Sequence, residues 1–346
     1  MAALALRAPR LRHRSEWRAA VQPVRPRRTP HVEEVADAYL SRVATGELAT
    51  VHRPNKWFSG AVYTSAGELV PASQKILGDP RGLRVAADPS FLPPVADVRL
   101  DGTWLYGGTW APTFGHFLVE TLTTLWPRLP QQPSGLVFHS SFGPTNVEGW
   151  HRRLLALAGF ADLSVHVVGT GGPVVVEHLV VPSRSVALQA WVHPEARSVW
   201  DTIASPFRGA GQQRVYVSRT MLNEHRRAVR YRREVRSSAE HDRALDEVFA
   251  ARGFDILCPE TLDIGEQLER VASAEVIAGL SGSGLHHSAF IPRGGRVVEL
   301  GDGRNATRPV RMQCAIDAAS GHQRRFIRGD AAPGEVNHIL GRLGLT

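Results

Sequence analysis

The chain has 346 residues, 43% of them hydrophobic and 21% charged, with 41 Lys and Arg against 33 Asp and Glu for a formal net charge of +8. This is the composition of an ordinary folded protein, and the length suggests roughly two domains. It excludes a membrane-spanning helix, since no run approaches the roughly 18 apolar residues one needs, and it excludes a disulfide framework, since the two cysteines, Cys258 and Cys314, are far apart and lack metal-ligand spacing.

Residues 1–30 read as a basic, disordered arm. The opening MAALALRAPRLRHRSEWRAA has no apolar core and cleavage site in secretory order, so the expected location is the cytoplasm, with the inner membrane surface as the alternative that the positive charge allows. Lysine occurs only at Lys56 and Lys75, and this Arg-for-Lys usage looks like a genome-wide bias rather than a targeting signal. A second basic block runs from Arg226 to Arg236. No aromatic-interleaved basic stripe, zinc knuckle or helix-turn-helix accompanies either block, so the charge supports non-specific attraction and no specific nucleic-acid partner is expected.

Residues 31–204 read as an N-terminal α/β domain. Its predicted strands are WLYGGTW, GLVFHS (135–140), SVHVVG (164–169) and PVVVEHLVVPS (173–183), with helices near 115–129, 146–159 and 193–204. Ser, Pro, Gly and Gln at 205–213 interrupt the apolar periodicity and mark a linker. In residues 214–346 strand and helix then alternate: RVYVS (214–218), a helix at 239–253, FDILCP (254–259), a helix at 261–274, EVIAG (275–279), a glycine turn, and GRVVELG (295–301). Such alternation predicts a parallel sheet covered on both faces, with ligands bound beyond the carboxyl ends of its strands. Two such units imply a cleft between them.

Four features could carry chemistry. The turn after EVIAG reads Leu280, Ser281, Gly282, Ser283, Gly284, Leu285, His286, His287. Glycines allow close approach of a ligand, and a helix starting at about Leu285 would turn its N–H groups toward an anion; the alternative is a plain strand-to-helix turn. The turn fits neither the dinucleotide fingerprint nor the P-loop. Within GHFLVETLTTLWPRL (115–129), Leu118, Leu122, Leu125 and Leu129 form one stripe at about 100° per residue, and His116, Glu120 and Thr123 fall opposite. His116 and Glu120 could be a base and its orienting carboxylate, a solvated polar face, or two ligands of a metal that lacks a third. Arg219 follows the strand RVYVS directly, so its planar cation should emerge at a strand end, where it suits a diphosphate. Glu299, at the end of RVVEL, is either a satisfied core acid or an acceptor for paired ribose hydroxyls.

Taken in order, GHFLVE, then VSR followed by HRR, then GFDILCPETLDIGEQLERVASAEVIAGLSGSGLHHSAFIPRGGRVVEL, resemble the glycosyltransferase 61 catalytic domain over roughly residues 100–302. The resemblance implies a GT-B architecture of two Rossmann-type α/β domains facing a cleft. It implies transfer of a sugar from a nucleotide-diphosphate donor to a glycan or other hydroxyl acceptor, inverting, with no cofactor and no essential metal. By that likeness Arg219, Arg227, Gln267, Ser281, Gly282, Ser283, Gly284, Leu285 and His286 hold the donor, Glu299 its ribose, and His116 with Glu120 lies on the acceptor side. The chain departs from the family pattern where His-Gly-Ala-Gly-Leu-x-Asn is replaced by Ser281 to His287, and where Arg230 and Tyr231 stand in place of an Asn-Glu pair. The alternative reading is a non-catalytic nucleotide-sugar or glycan-binding protein on the same fold.

Overall fold

The computed structural model describes residues 18–19, 29–43, 60–76, 84–85, 96, 98–141, 145–209, 213–229 and 235–346. Two six-stranded sheets organise the chain as a mixed α/β fold. The first runs, edge to edge, Val62–Tyr63, Val32–Leu40, Val174–Pro182, Val98–Trp110, Gly135–Ser140 and Ser164–Val168. Its last four strands are parallel, and the other two extend it antiparallel. Side chains alternate between its faces. Leu105, Leu136 and Phe138 point to one apolar cluster, Trp104, Tyr106 and Val137 to another.

The second sheet has the order Arg18–Ala19, Gln323–Ile327, Arg296–Leu300, Ala274–Leu280, Gln213–Val217, Asp255–Leu257. Arg18–Ala19, within the predicted arm, pairs antiparallel at the edge; the remaining strands are parallel. In chain order these five stand fifth, fourth, third, first, second, which puts a topological switch point between Gln213–Val217 and Ala274–Leu280. The β-branched alternation sorts two helical layers. Tyr216, Val276, Ala278 and Val298 pack on Leu245, Phe249, Val336 and Leu340 of helices Ala239–Ala250 and Pro333–Arg342. Val215, Val217, Ile277 and Val297 join Leu268 and Ile316 of helices Ile264–Val271 and Arg311–Ala319. The strand Gln323–Ile327 and the two helices after residue 302 add to what the sequence predicts.

Helix Pro194–Ala204 ties the sheets together. Arg197, fully buried, donates to the carbonyls of Ala289 and Ile291 at 2.9 Å each, and Trp200 donates to Leu118 O at 3.0 Å. One apolar cluster therefore runs from Leu105 and Phe138 through Trp200 and Ile203 to Ile277 and Val297. The predicted linker at 205–213 begins where this helix ends, with Ser205–Phe207 as a 3-10 turn; residues 210–212, like Arg230 and Tyr231, lie outside the described residues.

The helix predicted over 115–129 is shorter and fully engaged. It forms one α turn at Phe114–His116, a π turn at Phe117–Thr121 and a 3-10 turn at Leu122–Thr124, then stops before Pro127, whose ring cannot continue it. Its polar stripe is not a solvated face: Glu120 and Thr123 are buried, because the segment around Arg184 packs there, Arg184 donating to Thr124 Oγ1 at 2.9 Å and Ser185 to Thr123 O.

Candidate active site

A cleft of about 1350 Å³ opens at the carboxyl ends of both sheets. Thr113 to His116, Trp150 and Arg153 line one wall; Ser218, Arg219, Gly282 to His287 and Asp263 to Gln267 line the other. The walls touch at its base. Gly115 lies so close to Ser283 that a Cβ there would collide with the Ser283 side chain, and the Phe114 ring stacks on His287 with centroids 4.6 Å apart.

Gly282 is required by geometry. Its φ of +134° is a conformation that L side chains rarely adopt, and a Cβ would run into Nη2 of Arg219. Gly282→Ala is therefore expected to cost roughly 1–3 kcal/mol of stability and to displace the arginine. Thermal denaturation checks the first part and donor titration the second; an unchanged melting temperature together with unchanged donor affinity contradicts this reading.

The helix expected to open near Leu285 is a seven-residue 3-10 segment, Ser283–Ala289. So short a segment carries little dipole, and the positive charge of this wall lies in guanidinium groups instead: Arg219, Arg226, Arg236 and Arg304 all line the cleft. Asp302 organises two of them, its Oδ2 lying 2.7 Å from Arg236 Nη1 and 3.5 Å from Arg219 Nη1, while Oδ1 accepts from the backbone N–H of Arg304 and Asn305 at 2.9 and 3.0 Å. Burial pushes the Asp302 carboxyl up, but Arg236 and these N–H groups outweigh it and hold it below the usual range. Burial and the neighbouring Arg236 bring Arg219 down to about 10, still cationic at neutral pH.

Across the cleft, His116 is half-exposed and its Nδ1 lies 2.6 Å from Oε1 of the buried Glu120. The second carboxylate oxygen sits 2.5 Å from Lys75 Nζ. Burial alone would raise the Glu120 carboxyl; His116 and Lys75 together hold it below its ordinary value. With Nδ1–H donating to a fixed carboxylate, Nε2 of His116 is left as the acceptor nitrogen.

The remaining residues expected at the donor divide. Ser283, Gly284, Leu285, His286 and Gln267 line the cleft with Arg219 and Gly282. Gln267 braces the loop: Nε2 donates to Pro259 O and Leu262 O at 2.8 and 3.1 Å, and Oε1 lies 2.9 Å from His287 Nε2. Ser281, Glu299 and Arg227 do not line it. Ser281 Oγ donates to Glu299 Oε1 at 2.8 Å, and the Val310 N–H donates to the same oxygen at 2.9 Å, so Glu299 supports the loop from the core; burial raises its carboxyl above the ordinary value. Arg227 turns away to Ser237 O and Asp242, at 2.7 and 3.2 Å. Sequence reasoning missed Arg236, Arg304, Asp302 and Lys75; the first was visible only as one more arginine in a basic block. Among the described residues no group of three or more His, Cys, Asp or Glu is placed to hold a metal ion, and no helix is long and apolar enough to cross a membrane.

Cationic side chains at a strand switch point thus face a carboxylate-held imidazole across one cleft of an α/β protein. The sequence matches the family described as Glycosyltransferase 61 over residues 114–298, more than half of the chain, and the protein belongs to that family. The match begins at the cleft-lining Phe114 and ends two residues short of the end of the strand Arg296–Leu300. No curated protein matches the sequence. Membership implies a glycosyltransferase, with a sugar donor and an acceptor as its partners.

Proposed function

We propose that the protein transfers a sugar from a nucleotide-diphosphate donor to a hydroxyl of a glycan or similar acceptor, with inversion and without an essential metal ion, on a GT-B arrangement of two Rossmann-type units. The observation that carries this reading is the convergence on one cleft of the Gly282 loop, its arginines and the Glu120-held imidazole of His116. His116 Nε2 takes the proton of the acceptor hydroxyl, whose oxygen attacks the anomeric carbon from the face opposite the diphosphate. The bond from that carbon to the diphosphate oxygen breaks as the new one forms, and Arg219 and Arg236 balance the charge that develops on the leaving group. The basic surface supports work at the cytoplasmic face of a membrane, in the synthesis of cell-surface or extracellular polysaccharide.

Incubation of the protein with a panel of nucleotide sugars tests this directly: slow release of nucleoside diphosphate from one donor, quickened by an acceptor, is the expected result. A donor that raises the melting temperature without any turnover would instead mark a binding protein. Activity is expected to survive EDTA, because the guanidinium groups that line the cleft can take over the charge-balancing role of a metal cation. Full loss on chelation, restored by Mn²⁺ or Mg²⁺, would count against metal independence.

A further inference from the structure

His286, on the cleft wall, is tied from behind by a buried network. Its ring is buried, 7% exposed, and Nδ1 lies 2.9 Å from Oε1 of Gln313. The amide nitrogen of Gln313 donates to Ser288 Oγ and to Asp317 Oδ1, both at 2.7 Å. Gln313 and Asp317 stand one turn apart on helix Arg311–Ala319 and are themselves buried. These two residues lie beyond the stretch that matches the family.

The contacts fix the direction of every hydrogen bond. An amide whose nitrogen faces a carboxylate and a hydroxyl must turn its oxygen to the imidazole, so Nδ1 of His286 is the donor and carries the proton. Burial pushes Asp317 up to about 7. A proton taken up there would sit on Oδ2, which has no partner among the described residues, leaving Oδ1 still accepting. Burial likewise holds His286 down to about 4, with His116 and Arg219 adding to the effect, so the ring is neutral at physiological pH. Its Nε2, which makes no hydrogen bond among the described residues, is then a bare lone pair on the cleft side.

A neutral acceptor repels phosphate oxygens, which only accept. Sugar hydroxyls donate, and His286 lines the same cleft as His116 and Arg219, the groups assigned above to the acceptor and to the diphosphate, between which a transferred sugar must sit. We propose that His286 is a fixed hydrogen-bond acceptor for a hydroxyl of the donor's sugar ring, and that Gln313 and Asp317 are the positioning residues that hold its tautomer. The assignment rests on the donor reading above and adds to it a contact that selects among sugars.

Calorimetry on the full chain tests it with two probes: whichever of UDP-glucose, UDP-xylose, UDP-N-acetylglucosamine and GDP-mannose gives the largest thermal shift, and the free diphosphate of that nucleoside. His286→Asn keeps the contact to Gln313 but withdraws the acceptor from the cleft. It is expected to weaken the nucleotide sugar about 10-fold, the worth of one lost hydrogen bond, and to leave the nucleoside diphosphate unchanged. His286→Gln, whose amide reaches the position of Nε2, should stay within about threefold of wild type for both. Gln313→Met, which frees the tautomer, should weaken the nucleotide sugar and again spare the diphosphate. Equal weakening of both probes, or no difference between the Asn and Gln variants, overturns the assignment of His286 and leaves the donor reading standing. A wild-type protein that binds none of the four overturns both.

Discussion

Replacing His116 with alanine is expected to lower turnover by about 10²- to 10⁴-fold, the usual range for losing a general base, while donor affinity stays near wild type. The separation follows from position: the imidazole stands on the wall opposite Arg219 and Gly282 and reaches the cleft from the short helical segment at Phe114–His116. Steady-state kinetics and donor calorimetry on the same preparation provide the split between kcat and binding. Glu120→Gln should cost less, since an amide oxygen can still accept from Nδ1–H, although it gives up the ion pair with Lys75. If His116→Ala unfolds the protein while turnover per folded molecule stays normal, the histidine is structural and the base must be sought elsewhere. A parallel fall in donor affinity would move it to the donor side.

Arg219→Ala is expected to weaken donor binding by roughly 1.5–3 kcal/mol, the worth of charge-assisted hydrogen bonds; this is about 10- to 100-fold in the dissociation constant. Only 8% of its surface is exposed, and it emerges from the end of Gln213–Val217 beside Gly282, so its guanidinium is held in place against the loop. The free nucleoside diphosphate should lose as much as the nucleotide sugar, which distinguishes a diphosphate contact from a sugar contact. Arg219→Lys should recover only part of the loss, because an ammonium lacks the planar fork. Calorimetry showing unchanged affinity for both ligands would remove Arg219 from the site.

The second sheet was legible because its strands are buried on both faces and stop at glycines. VIAGL ends at the Gly282 turn and RVVEL at Gly301, and both fall within a residue or two of the observed strands. The Phe114 helix misled for a definite reason. Its leucine spacing continues to Leu129, but Pro127 ends it, and a polar stripe looks the same in sequence whether it meets water or protein partners such as Lys75 and the buried Arg184. Arg236, Asp302 and Arg304 sit in loops with no periodicity, and only the rule that ligands bind beyond strand ends pointed to their neighbourhood. Gln313 and Asp317 have helical spacing, yet nothing local connects them to a histidine on another segment. Pairings over such sequence distances are set by the sheet order, which composition and periodicity do not encode.

Asp302 has a kinetic consequence. Two guanidinium groups lean on its single carboxylate, so their mutual repulsion is partly offset and both are aligned by one fixed anion. On the proposed donor reading, an incoming diphosphate would share them with an anion that never leaves, which limits how tightly it can be gripped. In the proposed reaction the same sharing would speed the exit of the nucleoside diphosphate, since Asp302 takes back the guanidinium contacts as the product departs.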